Sequence, residues 1–200
     1  MNDELQQSGL FDGPQPFPHG LLYRPDFITR AEEGALLAAI APLPLREARF
    51  REYFAKRRVV HFHASADAPK YEAGEEDSFS SGLLPPFLTE LLDKVAKWVE
   101  VAPAWFVHAL VSEYQPGTPI GWHRDKPVYG IVVGISLAGW GRMRWRPLTS
   151  RLERKDVVAL DLAPRSAYVM RGPIRWEWQH SMLPTKTLRY SITFRTTAGR

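Results

Sequence analysis

Three side chains in the second half of this sequence have types and spacing suited to holding a metal ion: His123, Asp125 two positions on, and His180 55 positions beyond that. Residues two apart on an extended strand point to the same side, so His123 and Asp125 can converge on one ion while Arg124 faces away. Two histidines and one carboxylate leave several coordination positions open, which is what oxygen activation at a non-haem iron(II) centre requires. In a rolled sheet the 55-residue separation is expected to bring His180 to the opposite wall of the same pocket. Arg189 and Arg195 follow, six apart and therefore on one strand face with Ser191 and Thr193 between them. Their α-carbons would stand roughly 20 Å apart, and two long side chains leaning inward could grip the ends of a short dicarboxylate. Arginine suits this task because its fixed fork of donors meets a carboxylate with two parallel charge-assisted bonds.

The remaining histidines read differently. His61 and His63 share a face if their segment is a strand, and offer an alternative metal pair or a base-contacting pair. His108 alternates with Phe106 and Leu110, the pattern of a buried structural side chain. Glu177 lies three residues before His180, but no helical pattern surrounds it, which speaks against a zinc-type Glu/His arrangement. A metal protein of the cupin kind with another ion also fits the spacing.

Composition narrows the field. The chain has 200 residues, 44% hydrophobic, with seven Trp and ten Phe, enough for one compact domain with a sizeable core. The absence of cysteine excludes disulfides, thiolate zinc sites, iron–sulfur clusters and cysteine nucleophiles. The start Met1-Asn2-Asp3-Glu4 lacks a basic and apolar leader, and no stretch reaches the roughly 18 apolar residues of a membrane span. A cytoplasmic monomer with no membrane partner is expected. The net charge of +4 is unevenly spread: residues 1–100 carry 11 basic and 16 acidic side chains, a balance of −5, and residues 101–200 carry 15 and 6, a balance of +9. A basic half that also holds the metal residues suggests a polyanionic partner.

The elements that must position these residues follow from periodicity. Residues 1–25, with Gly13-Pro14-Gln15-Pro16-Phe17-Pro18, read as an irregular arm. Thr29 and Glu32 form a capping box ahead of a helix over Ala31–Ile40, and a second helix is expected from Pro86 to Glu100. Phe50–Phe62 has strand or hairpin texture, and Ala64–Gly82 is polar, acidic and loop-like. Short strand runs follow at Phe106–Tyr114, Val128–Leu137, Arg142–Arg146, Asp156–Leu160, Ala167–Met170 and Leu188–Thr196. The expected class is mainly β with flanking helices, an α+β chain built on a sandwich or barrel.

Residues 104–197 resemble the AlkB family of iron(II)/2-oxoglutarate-dependent dioxygenases, through Tyr114-Gln115-Pro116-Gly117, His123-x-Asp125 with His180, and the closing Arg189-Tyr190-Ser191-Ile192-Thr193-Phe194-Arg195. The resemblance implies a double-stranded β-helix (jelly-roll) core over 104–197, with helical support and a nucleotide-recognition region over 26–103. It implies Fe(II) on His123, Asp125 and His180, with 2-oxoglutarate and O2 as cosubstrates. Arg189 would pair with the remote carboxylate, Arg195 would assist near the metal-bound end, and Tyr114 would hydrogen-bond the cosubstrate, with Ser112 and Ser191 standing where many relatives have asparagine. Lys126-Pro127 replaces the acid that the best-known relatives place two positions after the metal aspartate, where it helps select the base.

The implied reaction is oxidative demethylation of N-alkylated DNA bases of the 1-methyladenine or 3-methylcytosine type, with release of formaldehyde. Such lesions pair poorly and are easier to extrude. Two basic regions could meet nucleic acid. One runs from Arg142 through Arg144 and Arg146 to Arg151, Arg154 and Lys155; the other is Lys56-Arg57-Arg58, flanked by Tyr53, Phe54 and Phe62. Phe62, Arg58 and Arg144 are the expected substrate contacts. Trp122 and Trp178 flank the metal residues and are expected to keep the site dry. The same iron centre acting on RNA, tRNA, a protein or a small molecule is the alternative. A catalytically silent nucleic-acid-binding barrel is another, although a pure binder has no chemical need for the triad.

Overall fold

The computed structural model describes residues 17–50, 53–64, 80–149 and 156–199, with the side chains of 48–50, 53–56, 80 and 81 outside the description. Residues 1–16 of the expected arm, most of the acidic loop, and Arg151, Arg154 and Lys155 lie outside the described residues, as do the side chains of Tyr53, Phe54 and Lys56.

Two sheets face each other. The larger contains β1 (Leu21–Arg24), β10 (Ala167–Met170), β7 (Tyr129–Leu137), β12 (Arg189–Thr197), β5 (Phe106–Tyr114), β3 (Tyr53–His63) and β2 (Arg46–Phe50) in that order, with β4 (Ser80–Leu83) paired to β3. The smaller runs β6 (Ile120–His123), β11 (Trp178–Met182), β8 (Gly141–Pro147), β9 (Val158–Leu162). All neighbours are antiparallel except β3 and β4. This is the jelly-roll that the family resemblance implied.

Period-two alternation divides the larger sheet into two faces. Val60 and Phe62, Ala109 and Val111, Val133, Ile135 and Leu137, and Ile192 and Phe194 point outward into a core shared with α1 (Arg30–Ile40) and α2 (Pro86–Val99). On α2, Leu88, Leu91, Leu92, Val95, Ala96 and Val99 form one buried stripe, and the helix ends at Glu100 in the left-handed conformation. The capping box of α1 is present, with Thr29 N–H donating to Glu32 at 2.6 Å and Glu32 N–H donating to Thr29 Oγ1 at 3.1 Å. The opposite face of the sheet looks inward toward Met143, Trp145, Leu162 and Met182 of the smaller sheet. The helices therefore brace the larger sheet from behind and leave its inner face for chemistry.

The expected strand over Phe106–Tyr114 matches β5 residue for residue, and the other strand expectations fall within a few residues of β3, β7, β8, β9, β10 and β12. Two expectations are corrected. Part of the N-terminal arm is β1, an edge strand held by pairing with β10, and the end of the acidic loop is β4. Each spans four residues.

Gly134 on β7 lies opposite Tyr168 on β10, and a Cβ there would overlap the Tyr168 ring. That ring is buried between the sheets and cannot swing away freely. Gly134→Ala is expected to destabilise the protein by about 1–3 kcal/mol, as overpacking does. A urea unfolding curve checks this, and an unchanged midpoint contradicts it.

Candidate active site

His123 is the last residue of β6, and its antiparallel partner across the ladder is His180 on β11. The two rings sit 4.2 Å apart between centroids. His180 is thus beside His123 on the same wall, not on the opposite one as the sequence separation suggested, because β11 returns directly alongside β6. Asp125 lies just past the strand, in the turn leading to β7. Its Oδ2 is 3.6 Å from His180 Nε2. The opposite wall is the inner face of β12, from which Arg195 donates through Nε and Nη2 to Asp125 Oδ1 at 2.9 and 2.8 Å.

Hydrogen bonds assign the tautomers. His123 Nδ1 lies 2.9 Å from the Gly121 carbonyl, which can only accept, so Nδ1 carries the proton and Nε2 keeps its lone pair. Arg195 Nη1 lies 3.2 Å from His108 Nδ1, and a guanidinium can only donate. His108 therefore accepts there and donates through Nε2 to His61 Nδ1 at 3.0 Å. His61 stands behind Arg195 in this relay, and His63 packs its ring on His108. These contacts replace the alternative reading of His61 and His63 as a metal pair.

Burial sets the charge states. It lowers His180 to about 3, helped by the neighbouring His123 and opposed by Asp125, and it lowers His123, opposed by the Gly121 carbonyl and Asp125. Burial pushes Asp125 the other way, but Arg195 followed by His180 and His123 overcomes it and holds the carboxyl well below its ordinary value. Two neutral imidazoles and one ionised carboxylate are the protonation states a divalent ion needs. The donor types fit iron(II), while among the described residues no three such side chains already stand in metal-holding geometry.

Arg175 on α3 (Pro173–Trp176) was not foreseen. It is 3% exposed and donates to the carbonyls of Gly130 at 3.0 Å, Lys126 at 2.7 Å, Tyr129 at 2.7 Å and Asp125 at 3.4 Å. One buried cation thereby fixes the turn that carries Asp125. Nothing in the local sequence distinguishes it from a surface arginine.

Arg189 is fully buried. Its Nε donates to Ser136 Oγ at 3.1 Å and its guanidinium lies 4.9 Å from the Tyr114 ring centre. Its Nη1 is buried with no partner, a donor that a carboxylate oxygen would satisfy. Ser112, Tyr114 and Ser191 line the same pocket, with Tyr114 and Ser191 hydroxyls 3.4 Å apart. Gly141 makes room for this arrangement, since a Cβ there would stand 2.7 Å from Arg189 Nε.

The expected substrate contacts are corrected. Phe62 is 3% exposed and faces the helices, so it offers no stacking surface. Arg58 shares that outward parity and pairs with Glu113 at 2.7 Å through both Nε and Nη2. Its neighbour Arg57 lines the pocket instead. Arg144 lies on the outer face of the smaller sheet, bonded to Ser181 at 3.2 Å. With Arg146 it flanks Trp122, at 4.9 and 4.4 Å from the ring centre. Trp122 therefore faces away from the site, while Trp178 packs against the core between the sheets.

Comparison with known proteins agrees with this architecture. The 2OG-Fe(II) oxygenase superfamily model matches residues 20–195, and the chain belongs to that superfamily. It is 29% identical over 191 residues to an Arabidopsis thaliana protein named "Alkylated DNA repair protein ALKBH8 homolog", covering 86% of this chain and 52% of the relative. It is 32% identical over 124 residues to a Danio rerio "Probable RNA/DNA demethylase ALKBH6", covering 61% and 47%. The chain spans about half the length of the curated relatives it matches. The structure of OsALKBH1 superposes with a TM-score of 0.72 at 13% identity, covering 91% of this chain and all of that one. A Pseudomonas putida prolyl-4-hydroxylase superposes at 0.57 and 16% identity, covering 90% and 92%, which shows the shared fold.

A pH dependence follows from the buried histidines. His180 is near 3 when folded and about 6.5 when unfolded, so between those values only the unfolded chain takes up the proton. Its contribution to stability is complete above about pH 6.5 and is lost as pH falls toward 3. In metal-free protein the urea midpoint is expected to stay level above about pH 7 and drop below it, less steeply in His180→Gln. A midpoint unchanged down to about pH 4.5 contradicts neutral burial.

Proposed function

We propose that His123, Asp125 and His180 hold the iron, that Arg189 anchors the remote carboxylate of 2-oxoglutarate, and that the reaction removes an alkyl group from a base in nucleic acid. The observation that carries this reading is the joint state of the pocket: neutral imidazoles beside an ionised carboxylate, and a buried Arg189 donor left without a partner. The bound iron and 2-oxoglutarate supply the oxidising power, with O2 consumed and succinate and carbon dioxide formed. The chain's own residues do the placing. Arg195 keeps Asp125 ionised and turned so that Oδ2 faces His180, and Arg175 prevents the turn from drifting. Ser136 and the Tyr114 ring fix the direction of the Arg189 fork.

With an N-methyl substrate, insertion of one oxygen atom into a C–H bond gives N-hydroxymethyl, which collapses to N–H and formaldehyde. The nucleic-acid assignment is supported by the similarity to AlkB-type proteins and by Arg144 and Arg146, which among the described residues bond to Ser181 and Gln179 rather than to acids. DNA lesions such as 1-methyladenine and 3-methylcytosine belong to this class of substrate, as do methylated bases in RNA.

The test is aerobic turnover of methylated oligonucleotides with iron(II) and 2-oxoglutarate, read as succinate, formaldehyde and loss of one methyl mass. His123→Ala is expected to abolish all three. Gly141→Ala, which pushes on Arg189, is expected to raise the 2-oxoglutarate KM by about tenfold or more, the cost of one misplaced charge-assisted contact. Unchanged turnover in His123→Ala overturns the metal assignment.

A further inference from the structure

The charge inside the pocket limits which base it can hold. Among the described residues three arginines line it, Arg57, Arg189 and Arg195, against one acid, Asp125, and Asp125 is already engaged by Arg195. Divalent iron and dianionic 2-oxoglutarate cancel each other, so loading the site leaves the net positive balance in place. Glu113, the neighbouring acid on β5, points to the other side of the sheet and is satisfied by Arg58, Gln115 and Tyr190. Where an acid could follow the metal aspartate, the sequence reads Lys126-Pro127.

Arg57 hydrogen-bonds the Tyr114 hydroxyl and keeps a further donor unused. It sits opposite Tyr114 in the β3–β5 ladder, its Nε is buried with no hydrogen-bond partner, and it is close enough to His123 to disfavour a proton there. Burial alone would raise the Tyr114 hydroxyl, yet Arg57 and Arg189 bring it down to about 8, which reports the positive field on that side of the pocket. Resting on the nucleobase reading above, we propose that Arg57 makes this site select uncharged alkylated bases with carbonyl edges, the 3-methyluracil and 3-methylthymine class, and reject cationic ones.

Two physical effects act in the same direction. N1-methylated adenine and N3-methylated cytosine carry a positive charge at neutral pH. For a like charge on the order of 7 Å away in an effective dielectric of about 20, Coulomb repulsion weakens binding by on the order of fifty-fold. Hydrogen bonding adds to this, because a guanidinium has donors only. The 2- and 4-carbonyls flanking N3 of a methylated uracil accept from it, whereas the exocyclic nitrogen beside the methyl group of 1-methyladenine or 3-methylcytosine presents hydrogens.

The experiment compares three oligonucleotides of one sequence carrying 3-methyluracil, 1-methyladenine or 3-methylcytosine at the same position. It reads kcat/KM for methyl loss, and binding under nitrogen to protein loaded with manganese(II) and 2-oxoglutarate. Wild type is expected to favour 3-methyluracil by about tenfold or more in both readouts. Arg57→Met should shrink that ratio to a few-fold, and Arg57→Glu should turn it toward the cationic bases; thermal melts of both variants verify folding. A wild-type preference for the cationic bases, or a ratio indifferent to Arg57→Glu, overturns the assignment to Arg57. Succinate formation with methyl loss from none of the three strands overturns the nucleobase reading itself.

Discussion

The ion pair between Arg195 and Asp125 joins the two sheets where the chemistry is expected. Arg195 projects from β12 of the larger sheet and Asp125 from the turn after β6 of the smaller one, meeting at 2.8–2.9 Å with side chains only 12% and 7% exposed. A carboxylate this deep survives in its charged form only with such a partner, since removing one member of a buried pair typically costs about 3–5 kcal/mol. Everything around it serves that charge. His108 and His61 back the arginine, Arg175 holds the turn, and burial keeps the two histidines neutral beside it.

The division of labour between faces explains how a modest chain builds such a centre. The central strands β5 and β12 send apolar residues back to α1 and α2 and carry polar residues into the pocket. β12 shows it most clearly, with Ile192 and Phe194 buried against the helices and Arg189, Ser191, Thr193 and Arg195 turned inward. The hydrophobic effect acting on one face thus fixes the orientation of the pocket side chains on the other. Glycines at 134 and 141 then give the bulky Tyr168 and Arg189 side chains their room.

Much of this was legible beforehand, because period-two alternation and the spacing of His123, Asp125, Arg189 and Arg195 are local properties. What depended on register was not. Arg57 and Arg58 are adjacent and chemically identical, and only the pairing of β3 with β5 decides which one enters the pocket. A signal was present all the same: Arg58 shares parity with Val60 and Phe62, whose apolar side chains seek the helices, and Arg57 shares it with His61 and His63. The position of His180 beside His123 depends on β11 returning next to β6, a non-local event invisible in a 55-residue gap. Arg175 gave no sign because its partners are backbone carbonyls, which carry no sequence signature.

The central claim is that these three side chains and Arg189 form one iron(II) and 2-oxoglutarate site, and anaerobic titration tests it most directly. Iron(II) added to the protein with 2-oxoglutarate under nitrogen should give a visible charge-transfer absorption that saturates at one iron per chain and is absent in Asp125→Ala. No absorption in the wild-type protein, or an equal band in the variant, would contradict the account.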